Sequence, residues 1–321
     1  MYKPKNILLT GGAGFIGSHV ATLLVKQYPY KVVVYDKLDY CASLKNLESI
    51  SGAPNYKFVK GDILSTDLLR YVIQQEEIDT ILHFAAQSHV DRSFGNSLTF
   101  TTNNVLGTHI LLEVAKECDI QRFIHVSTDE CYGEVLDTKA KETASLLPNN
   151  PYAASKAAAE MIARGYYRSF GLPVIITRGN NVYGPHQYPE KLIPKFLTLI
   201  SQDKPCTIHG TGDHRRCWLY AEDVAKAFVI ILHKGSVGEV YNIGSEDEYS
   251  VLDIARMLYR KMGTPERLEY VEDRPFNDTR YLIDSSKVEA LGWRNQTSFD
   301  EGLDKTIRWY REHPGHWGCT E

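Results

Sequence analysis

Apolar and polar positions alternate in blocks along the first part of the chain. A short apolar run at Asn6–Thr10 is closed by glycines, and apolar residues then recur at helical spacing from Phe15 to Leu24. A second run, rich in β-branched residues, follows at Lys31–Asp36. This order predicts a strand, a helix and a strand, which together form a β-α-β unit of roughly 30 residues.

Further apolar runs repeat this pattern downstream. We expect strands at 56–59, 80–86 and 122–127, a helix from Tyr152 onward, and a helix followed by a strand within 223–244. Strands that alternate with helices predict an α/β fold with a mostly parallel sheet. We interpret the segments 180–185, 189–194 and 215–220 as loops and helix starts.

Length and composition narrow the class of protein. The chain has 321 residues, of which 43% are hydrophobic and 24% are charged, and its net charge is -4. This is an ordinary globular composition, and the length suits one large α/β domain or two cooperating lobes. The mild acidic balance gives no sign of nucleic acid or a membrane surface as a partner, so we expect a metabolite.

The cysteines are scattered singly along the chain. They are Cys41, Cys118, Cys131, Cys206, Cys217 and Cys319. Without a C-x-x-C pair, neither a zinc site nor a disulfide scaffold is expected. The sequence also lacks a signal-peptide pattern and an apolar run of membrane-spanning length. We therefore expect a cytoplasmic protein with reduced thiols and no metal.

Three glycines, Gly11, Gly14 and Gly17, lie where the first strand gives way to the first helix. Glycine there permits a sharp turn, a close approach of the backbone to a pyrophosphate, and tight packing of the helix on the strand. The N–H groups at the helix start favour bound phosphates. Asp36 ends the second strand, where a carboxylate binds the adenosine ribose hydroxyls and repels a 2′-phosphate, so NAD is favoured over NADP.

The G-x-x-G-x-x-G spacing resembles the extended short-chain dehydrogenase/reductase family. The resemblance implies a Rossmann-like doubly wound parallel sheet with a smaller α/β substrate-binding lobe. It also implies further NAD contacts, which are Phe15, Ile16, Asp62, Ile63, Ala85 and Ala86. For Asp62 the alternative is a helix cap, and for the two alanines it is plain packing.

Two pairs of polar residues suggest the chemistry. Tyr152 and Lys156 are four residues apart and share one helix face. A phenolate base near neutral pH needs neighbouring positive charge, which Lys156 and a nicotinamide ring would supply. Y-x-x-x-K alone usually marks an exposed helical turn, and adjacent carboxylates such as Asp129 and Glu130 are usually solvated loop charges. Here, however, both pairs follow a dinucleotide-binding unit, and the carboxylates follow a strand end, where open α/β sheets bind ligands.

The triplet Thr128-Asp129-Glu130, followed by Tyr-Gly and by Tyr152 with Lys156, resembles the active site of dTDP-glucose and UDP-glucose 4,6-dehydratases. The resemblance implies that Tyr152, aided by Thr128, takes the C4 hydroxyl proton while the C4 hydride passes to NAD. Glu130 would then remove the C5 proton and Asp129 would protonate the leaving C6 oxygen. The hydride finally returns to C6, so the cycle is redox neutral.

The same resemblance implies a set of substrate contacts in the second half of the chain. They are Asn181, Glu190, Lys191 and Leu192 near sugar and phosphate, Arg216 on the pyrophosphate, and Arg274 with Asn277 near phosphate and base. Arginine suits this role because its planar fork binds phosphate oxygens in pairs. Solvated surface arginines are the alternative.

Nearly the whole chain resembles the dehydratase portion of plant-type UDP-rhamnose synthases. The segments that carry this likeness are 37–41, 94–97, 178–185 and 274–278. Asn277 and Gln87 follow the rhamnose-synthase pattern, so UDP-glucose is favoured and dTDP-glucose is the alternative. The chain stops where the larger synthases continue, so we expect only the first step of rhamnose or other deoxy-sugar synthesis. Cys131, where the family commonly has Val, is interpreted as an apolar packing residue.

The resemblance also implies how the chain is organised. We expect an NAD-binding domain at 1–178 and 217–244, a nucleotide-sugar-binding lobe at 179–216 and 245–321, and a homodimer formed through helices near 104–117 and 153–169. Two other functions remain open. One is an NAD-dependent nucleotide-sugar epimerase, against which Asp129 and Glu130 argue. The other is a catalytically silent NAD-binding regulator, which the intact Tyr152 and Lys156 disfavour.

Overall fold

The computed structural model describes residues 1–317. Its strands are β1 (Asn6–Thr10), β2 (Lys31–Asp36), β3 (Tyr56–Lys60), β4 (Thr80–His83), β5 (Arg122–Thr128), β6 (Val174–Gly179), β7 (Asn181–Tyr183), β8 (Cys206–His209), β9 (Arg215–Tyr220), β10 (Val240–Ile243), β11 (Glu248–Ser250) and β12 (Leu268–Val271). Its α-helices are α1 (Phe15–Gln27), α2 (Thr66–Gln75), α3 (Val90–Gly95), α4 (Ser97–Phe100), α5 (Gly107–Glu117), α6 (Pro151–Phe170), α7 (Leu192–Ser201), α8 (Ala221–Lys234), α9 (Val251–Met262), α10 (Ser286–Ala290) and α11 (Phe299–Glu312).

Seven parallel strands form the large sheet, in the order β10-β6-β5-β4-β1-β2-β3. Apolar side chains of α1 and α8, such as Leu24 and Ile231, pack in one hydrophobic cluster with one face of this sheet. Side chains of α2, α5 and α6, such as Leu69, Leu111 and Ala163, pack in a second cluster with the other face. The predicted doubly wound Rossmann-like fold is confirmed.

The predicted strands of the large sheet lie close to their expected positions. β1 and β2 have the predicted bounds, and α8 with β10 returns the chain to this sheet beside β6, as expected. β4 ends at His83, three residues before the predicted end. The reason is local, since the chain leaves the sheet to pass over the glycine turn. A Cβ placed on Gly11 would lie 2.5 Å from the backbone N of Ala85.

Two smaller sheets form beside the large one, with strand orders β11-β9-β7 and β12-β8. The interpretation of 180–185 and 215–220 as loops and helix starts is therefore wrong, because both segments contain a strand. β7 and β9 pair with each other, and β9 pairs with β11. Such short strands depend on distant partners that local sequence does not reveal. The segment 189–194 leads into α7, as interpreted.

The start of α6 has a clear local cause. Asn150 precedes the helix, and its side chain accepts a hydrogen bond from the backbone N of Ala153. Pro151 occupies the first turn, where its missing N–H costs nothing. The left-handed Gly171 (φ 70°) ends the helix. These signals place Tyr152 and Lys156 in the first two turns.

Within residues 1–317, no helix is long and apolar enough to cross a membrane. The same residues contain no cluster of histidine, cysteine and acidic side chains that would hold a metal ion. Free thiols are carried by Cys41, Cys118, Cys131, Cys206 and Cys217, whereas Cys319 lies outside the described residues.

The two-part division of the chain remains a prediction, and β9 runs across its expected boundary at residue 217.

Candidate active site

A single cavity of about 460 Å³ is lined by all 22 residues that the sequence analysis assigned to cofactor, catalysis or substrate. It opens at the carboxyl ends of the large sheet, where the loops after β1, β2, β3, β4, β5 and β6 contribute lining residues. Ligands of open α/β sheets bind at this edge. The structure thus brings the predicted residues together, and their individual roles remain predictions.

The glycine turn leaves room for a phosphate-bearing ligand close to the backbone. Gly11 has φ 70°, and a Cβ on Gly17 would lie 2.4 Å from the carbonyl O of Gly11. Any larger residue at either position would therefore displace backbone. The N-terminus of α1 follows directly, so the turn has the tight backbone and the helix start that a dinucleotide pyrophosphate requires.

Asp36 is held rigidly at the end of β2. Its Oδ2 accepts from the backbone N of Ala13 at 3.0 Å, and its Oδ1 accepts from the backbone N of Leu38 at 2.8 Å. Burial raises the pKa of this carboxyl, and the two backbone hydrogen bonds oppose that shift. The carboxylate is thus oriented before any ribose arrives, which fits the predicted NAD contact.

Asp62 lies on the cavity wall, and it is not a helix cap, because the N-cap position of α2 is Ser65. Its Oδ1 accepts from the backbone N of Leu64 at 3.0 Å, a local turn that leads towards α2. Its Oδ2 lies 3.7 Å from Nζ of Lys37, which also donates to Asn103 Oδ1 at 2.8 Å. The local turn and the position on the cavity wall are compatible, because they use different oxygens of one carboxylate.

Tyr152 and Lys156 lie side by side on α6 and are both buried. Nζ of Lys156 donates to the carbonyl O of Val126 at 2.6 Å. Burial lowers the pKa of Lys156 to about 8. Burial and the charge of Glu130 raise the pKa of Tyr152 well above its usual value. Tyr152 therefore needs added positive charge, such as a nicotinamide ring, before it can act as a base.

Asp129 and Glu130 lie in a short 3₁₀ turn, Asp129–Tyr132, directly after β5. Asp129 is only 2% exposed, and its Oδ1 accepts from the Thr128 hydroxyl at 3.2 Å. Burial, with the neighbouring Glu130 charge, raises the pKa of Asp129 to about 7. Burial also raises the pKa of Glu130. Two carboxyls in this state can act as acid and base near neutral pH.

The sequence analysis missed two asparagines that contact these carboxyls. Nδ2 of Asn180 donates to Oδ2 of Asp129 at 2.6 Å, and Nδ2 of Asn150 donates to Oε2 of Glu130 at 3.0 Å. Asn150 before a proline is a recognisable helix start. Asn180 carries no such signal, because it is 51 positions away from its partner.

The predicted substrate residues form the far wall of the cavity. Nη2 of Arg216 donates to Oδ1 of Asn277 at 3.2 Å, and Nε of Arg274 lies 2.6 Å from Asp91 Oδ1. Both arginines are partly buried, which fits the binding interpretation better than free solvation. Nζ of Lys191 donates to the carbonyl O of Ser88 at 2.7 Å. Cationic groups from three segments therefore face one cavity.

Gln87 and Asn277, the two residues on which the expected preference for UDP-glucose rests, have different surroundings. Gln87 donates through Nε2 to Asp39 at 2.7 Å, and its backbone N donates to Asn104 at 2.7 Å. Asn277 instead contacts Arg216 and donates through Nδ2 to Asp273 at 3.2 Å. Among the residues that the structure describes, the two share no hydrogen-bond partner. The two side chains are therefore held by different neighbours within the same cavity.

Cys131 belongs to the same 3₁₀ turn as Asp129 and Glu130 and is fully buried. Its Sγ lies 3.4 Å from Oγ of Ser127 and 3.7 Å from the carbonyl O of Ala153. Burial raises the pKa of this thiol to about 12, so it stays protonated at neutral pH. The environment agrees with a packing role.

Comparison with known proteins adds independent findings. A family model described as GDP-mannose 4,6 dehydratase matches residues 8–306. A trifunctional UDP-glucose 4,6-dehydratase/UDP-4-keto-6-deoxy-D-glucose 3,5-epimerase/UDP-4-keto-L-rhamnose-reductase of Arabidopsis thaliana is 58% identical over 324 residues, which cover 99% of this chain and 49% of that protein. The chain spans about half the length of three such Arabidopsis relatives.

Two further relatives match along nearly their whole length. The dTDP-D-glucose 4,6-dehydratase of Homo sapiens is 50% identical over 325 residues, which cover 99% of this chain and 93% of that protein. A crystal structure of a dTDP-glucose 4,6-dehydratase from Streptomyces venezuelae, with NAD and TYD bound, superimposes with a TM-score of 0.95 at 41% identity. That superposition covers 98% of this chain and 99% of the other.

Proposed function

The chain belongs to the GDP-mannose 4,6 dehydratase family, and from that premise we propose that it is an NAD-dependent nucleotide-sugar 4,6-dehydratase acting on UDP-glucose. One observation carries the proposal, namely that Asp129 and Glu130 line the same cavity as Tyr152 and Lys156. A nucleotide-sugar epimerase needs the tyrosine and the cofactor but no such acid and base pair. A silent NAD-binding protein would need neither pair.

The residues divide the reaction between them. Tyr152, near the Lys156 charge, takes the proton of the C4 hydroxyl, and Thr128 holds that hydroxyl. The glycine turn, Asp36 and Asp62 would hold NAD, which when bound would supply a reversible hydride acceptor for the carbons C4 and C6. Glu130 removes the C5 proton, which the C4 ketone has acidified. Asp129 gives its proton to the departing C6 oxygen.

The electrostatics of the site support these roles. An acid must hold its proton at the working pH, and the pKa of Asp129 lies at about 7 because of its burial and of Glu130 beside it. Glu130 must instead be ionised to act as a base; burial raises its pKa, and the Asn150 hydrogen bond with the charges of Arg216 and Lys191 opposes that shift. Two neighbouring carboxyls with different surroundings are the usual way to obtain an acid and a base from the same chemistry.

The nucleotide is the finer part of the proposal. The 58% identity to a protein named for UDP-glucose exceeds the 50% identity to one named for dTDP-glucose, and Asn277 follows the first pattern. A site that hydrogen-bonds the ribose 2′-hydroxyl would reject a deoxy ligand, since its own polar groups would lose their partners. The extra thymine methyl is worth only about 1–3 kcal/mol.

We also propose a cytoplasmic homodimer. Leu106 (48% exposed) precedes α5, and Met161 (45%) and Phe170 (57%) lie on α6. Large apolar side chains exposed on two neighbouring helices favour a contact with a second copy. The scattered thiols agree with a reducing compartment.

The test is incubation of the purified protein with UDP-glucose and with dTDP-glucose, followed by mass analysis for loss of water. We expect a 4-keto-6-deoxy product from UDP-glucose with the higher kcat/KM. Tyr152→Phe is the matched control, because it removes one oxygen and should abolish the product. Equal or better use of dTDP-glucose would overturn the nucleotide preference. Turnover of neither sugar by protein that carries NAD would overturn the dehydratase proposal itself.

A further inference from the structure

The two missed asparagines have one feature in common, which is that a backbone N–H fixes the orientation of each amide. Oδ1 of Asn150 accepts from the backbone N of Ala153 at 2.8 Å, and Oδ1 of Asn180 accepts from the backbone N of Ser245 at 3.1 Å. An amide oxygen that accepts from a backbone N–H must present its NH₂ group on the other side. Each asparagine therefore has to donate, rather than accept, at the carboxyl that it faces.

We propose that Asn150 and Asn180 are positioning residues, of which Asn150 keeps Glu130 ionised as the base and Asn180 fixes which oxygen of Asp129 carries the acidic proton. The inference deepens the proposed dehydratase function and rests on it. Neither asparagine needs to touch the reacting atoms, because each acts through its carboxyl.

Asn150 connects the base to the helix that carries Tyr152. Its oxygen caps the first turn of α6, while its NH₂ group holds Oε2 of Glu130 at 3.0 Å. A donor favours the ionised form of the carboxylate that it contacts. Asn150 thus keeps Glu130 ionised and fixes it relative to Tyr152, two residues further along the chain.

Asn180 decides which oxygen of Asp129 carries the acidic proton. Its NH₂ group donates to Oδ2 at 2.6 Å, so Oδ2 has to be the accepting oxygen. A proton on the neutral acid must then sit on Oδ1, so the Thr128 hydroxyl, which donates to Oδ1 of the ionised carboxyl, has to accept or turn away. Asn180 lies on the cavity wall and is only 5% exposed, so solvent does not compete for this contact.

Other charged and titratable groups also face the two carboxyls. Arg216 and Lys191 favour ionised Glu130, Asp278 opposes it, and Tyr152 and Tyr281 face it from α6 and the far wall. Asp129 faces Glu130, Arg216, Cys217 and Tyr152. These groups stay in place when an asparagine is replaced, so they form a constant background for the test.

The test exchanges each amide for the carboxylate of the same shape. Asn150→Asp keeps the helix cap, since aspartate is an equally good N-cap. It replaces the donor at Glu130 with a negative charge, which should raise the pKa of Glu130. The acidic limb of the pH profile of kcat for dehydration should then move to higher pH by about 1–2 units. Asn180→Asp acts in the same way on Asp129, so it should move the alkaline limb to higher pH.

Asn150→Ser is the matched control for folding, because serine also caps the helix and carries no charge. Its side chain is too short to serve both the Ala153 N–H and Glu130, so we expect a smaller shift of the same acidic limb. A primary isotope effect from deuterium at C5 establishes that the profile reports the elimination step. A merely structural asparagine would change stability and leave both limbs where they are.

A second measurement does not depend on turnover. In protein labelled with ¹³C at the carboxyl carbons, the Glu130 signal, assigned with Glu130→Gln, should titrate at higher pH in Asn150→Asp than in the unmodified chain. If the enzyme is active but neither limb of its pH profile nor the Glu130 titration moves, the inference is wrong. The proposed dehydratase function is not affected by that result. If both variants moved the same limb, the assignment of one amide to one role would be wrong. A chain that turns over neither sugar overturns the proposed function, and the Glu130 titration still decides the role of Asn150.

Discussion

Helix α6 contributes to two buried polar clusters that have opposite electrostatic designs. Deeper along the helix, Glu160 forms an ion pair with Arg178, and both side chains are fully buried. Nε of Arg178 donates to Glu160 at 3.0 Å, and Nη1 donates to the hydroxyl of Tyr132 at 2.6 Å. At the start of the helix, Glu130 and Asp129 receive hydrogen bonds from the neutral side chains of Asn150, Asn180 and Thr128.

The comparison teaches what separates a structural carboxylate from a reactive one. Glu160 is paired with a full opposite charge at hydrogen-bond distance, which compensates the charge of the buried carboxylate. Asp129 receives hydrogen bonds only from neutral side chains and has a like charge beside it, and because the Arg216 charge offsets this only in part, burial raises its pKa to about 7. Burial alone therefore does not mark a catalytic group. The nature of the donors decides whether the proton is free to move.

The largest expected effect comes from removing the reactive carboxyls. Asp129→Asn and Glu130→Gln keep the shape of each side chain and remove its ability to exchange a proton. Loss of a general acid or base typically lowers the rate by roughly 10²–10⁴-fold. We expect dehydration to fall by that factor while the NAD content and the cooperative unfolding stay normal. Near-normal turnover by either variant would contradict the roles given to the pair.

The structural cluster should respond in the opposite way. Arg178→Met leaves Glu160 buried without its partner, which should lower the free energy of unfolding by about 3–5 kcal/mol. Urea unfolding at neutral pH measures this loss. The double variant Arg178→Met with Glu160→Met is the control, because an apolar replacement of both partners should recover most of the stability. A cost under about 1 kcal/mol for the single change would put Glu160 in the same class as Asp129.

The sequence predicts six of the seven strands of the large sheet, mostly from their apolar runs, whereas β6 is not among the predicted strands. It also predicts that Asp129 and Glu130 lie in the cavity, since they directly follow a parallel strand whose end lies at the ligand edge. The strands β7 and β9 escape prediction because their pairing is made with distant segments.

The hydrogen-bond partners that make the two clusters different also cannot be predicted from the local sequence. Arg178 and Glu160 are 18 positions apart, and Asn180 and Asp129 are 51 positions apart. Each pair meets only because β6 and β5 are neighbours and α6 packs against them. Propensity and periodicity predict which face of an element a residue lies on. They do not predict which hydrogen-bond donor packs against that face. Tertiary packing determines the donor, and in these two clusters the donor determines whether the carboxyl is structural or reactive.

The smallest expected effect concerns stability as a function of pH. Asp129 keeps its proton in the folded chain up to a pKa of about 7, whereas in the unfolded chain it ionises near 3.8. Between these values unfolding releases a proton, so the stability contributed by neutral Asp129 is present below the unfolded pKa and is lost as the pH rises towards 7. Asp129→Asn cannot ionise, so the variant should gain roughly 1.4 kcal/mol of stability over the unmodified chain for each pH unit within this window.

Urea unfolding of both proteins between pH 4 and pH 8 measures this difference. It should be near zero at the acidic end, grow through the window, and level off above the folded pKa of Asp129. Glu160→Gln sharpens the contrast, because it removes a charge that the fold compensates and should therefore destabilise the chain at every pH in the range. A constant difference for Asp129→Asn would mean that Asp129 is ionised in the folded protein. The two clusters would then differ in position but not in design, and Asp129 would have no proton to give to the C6 oxygen.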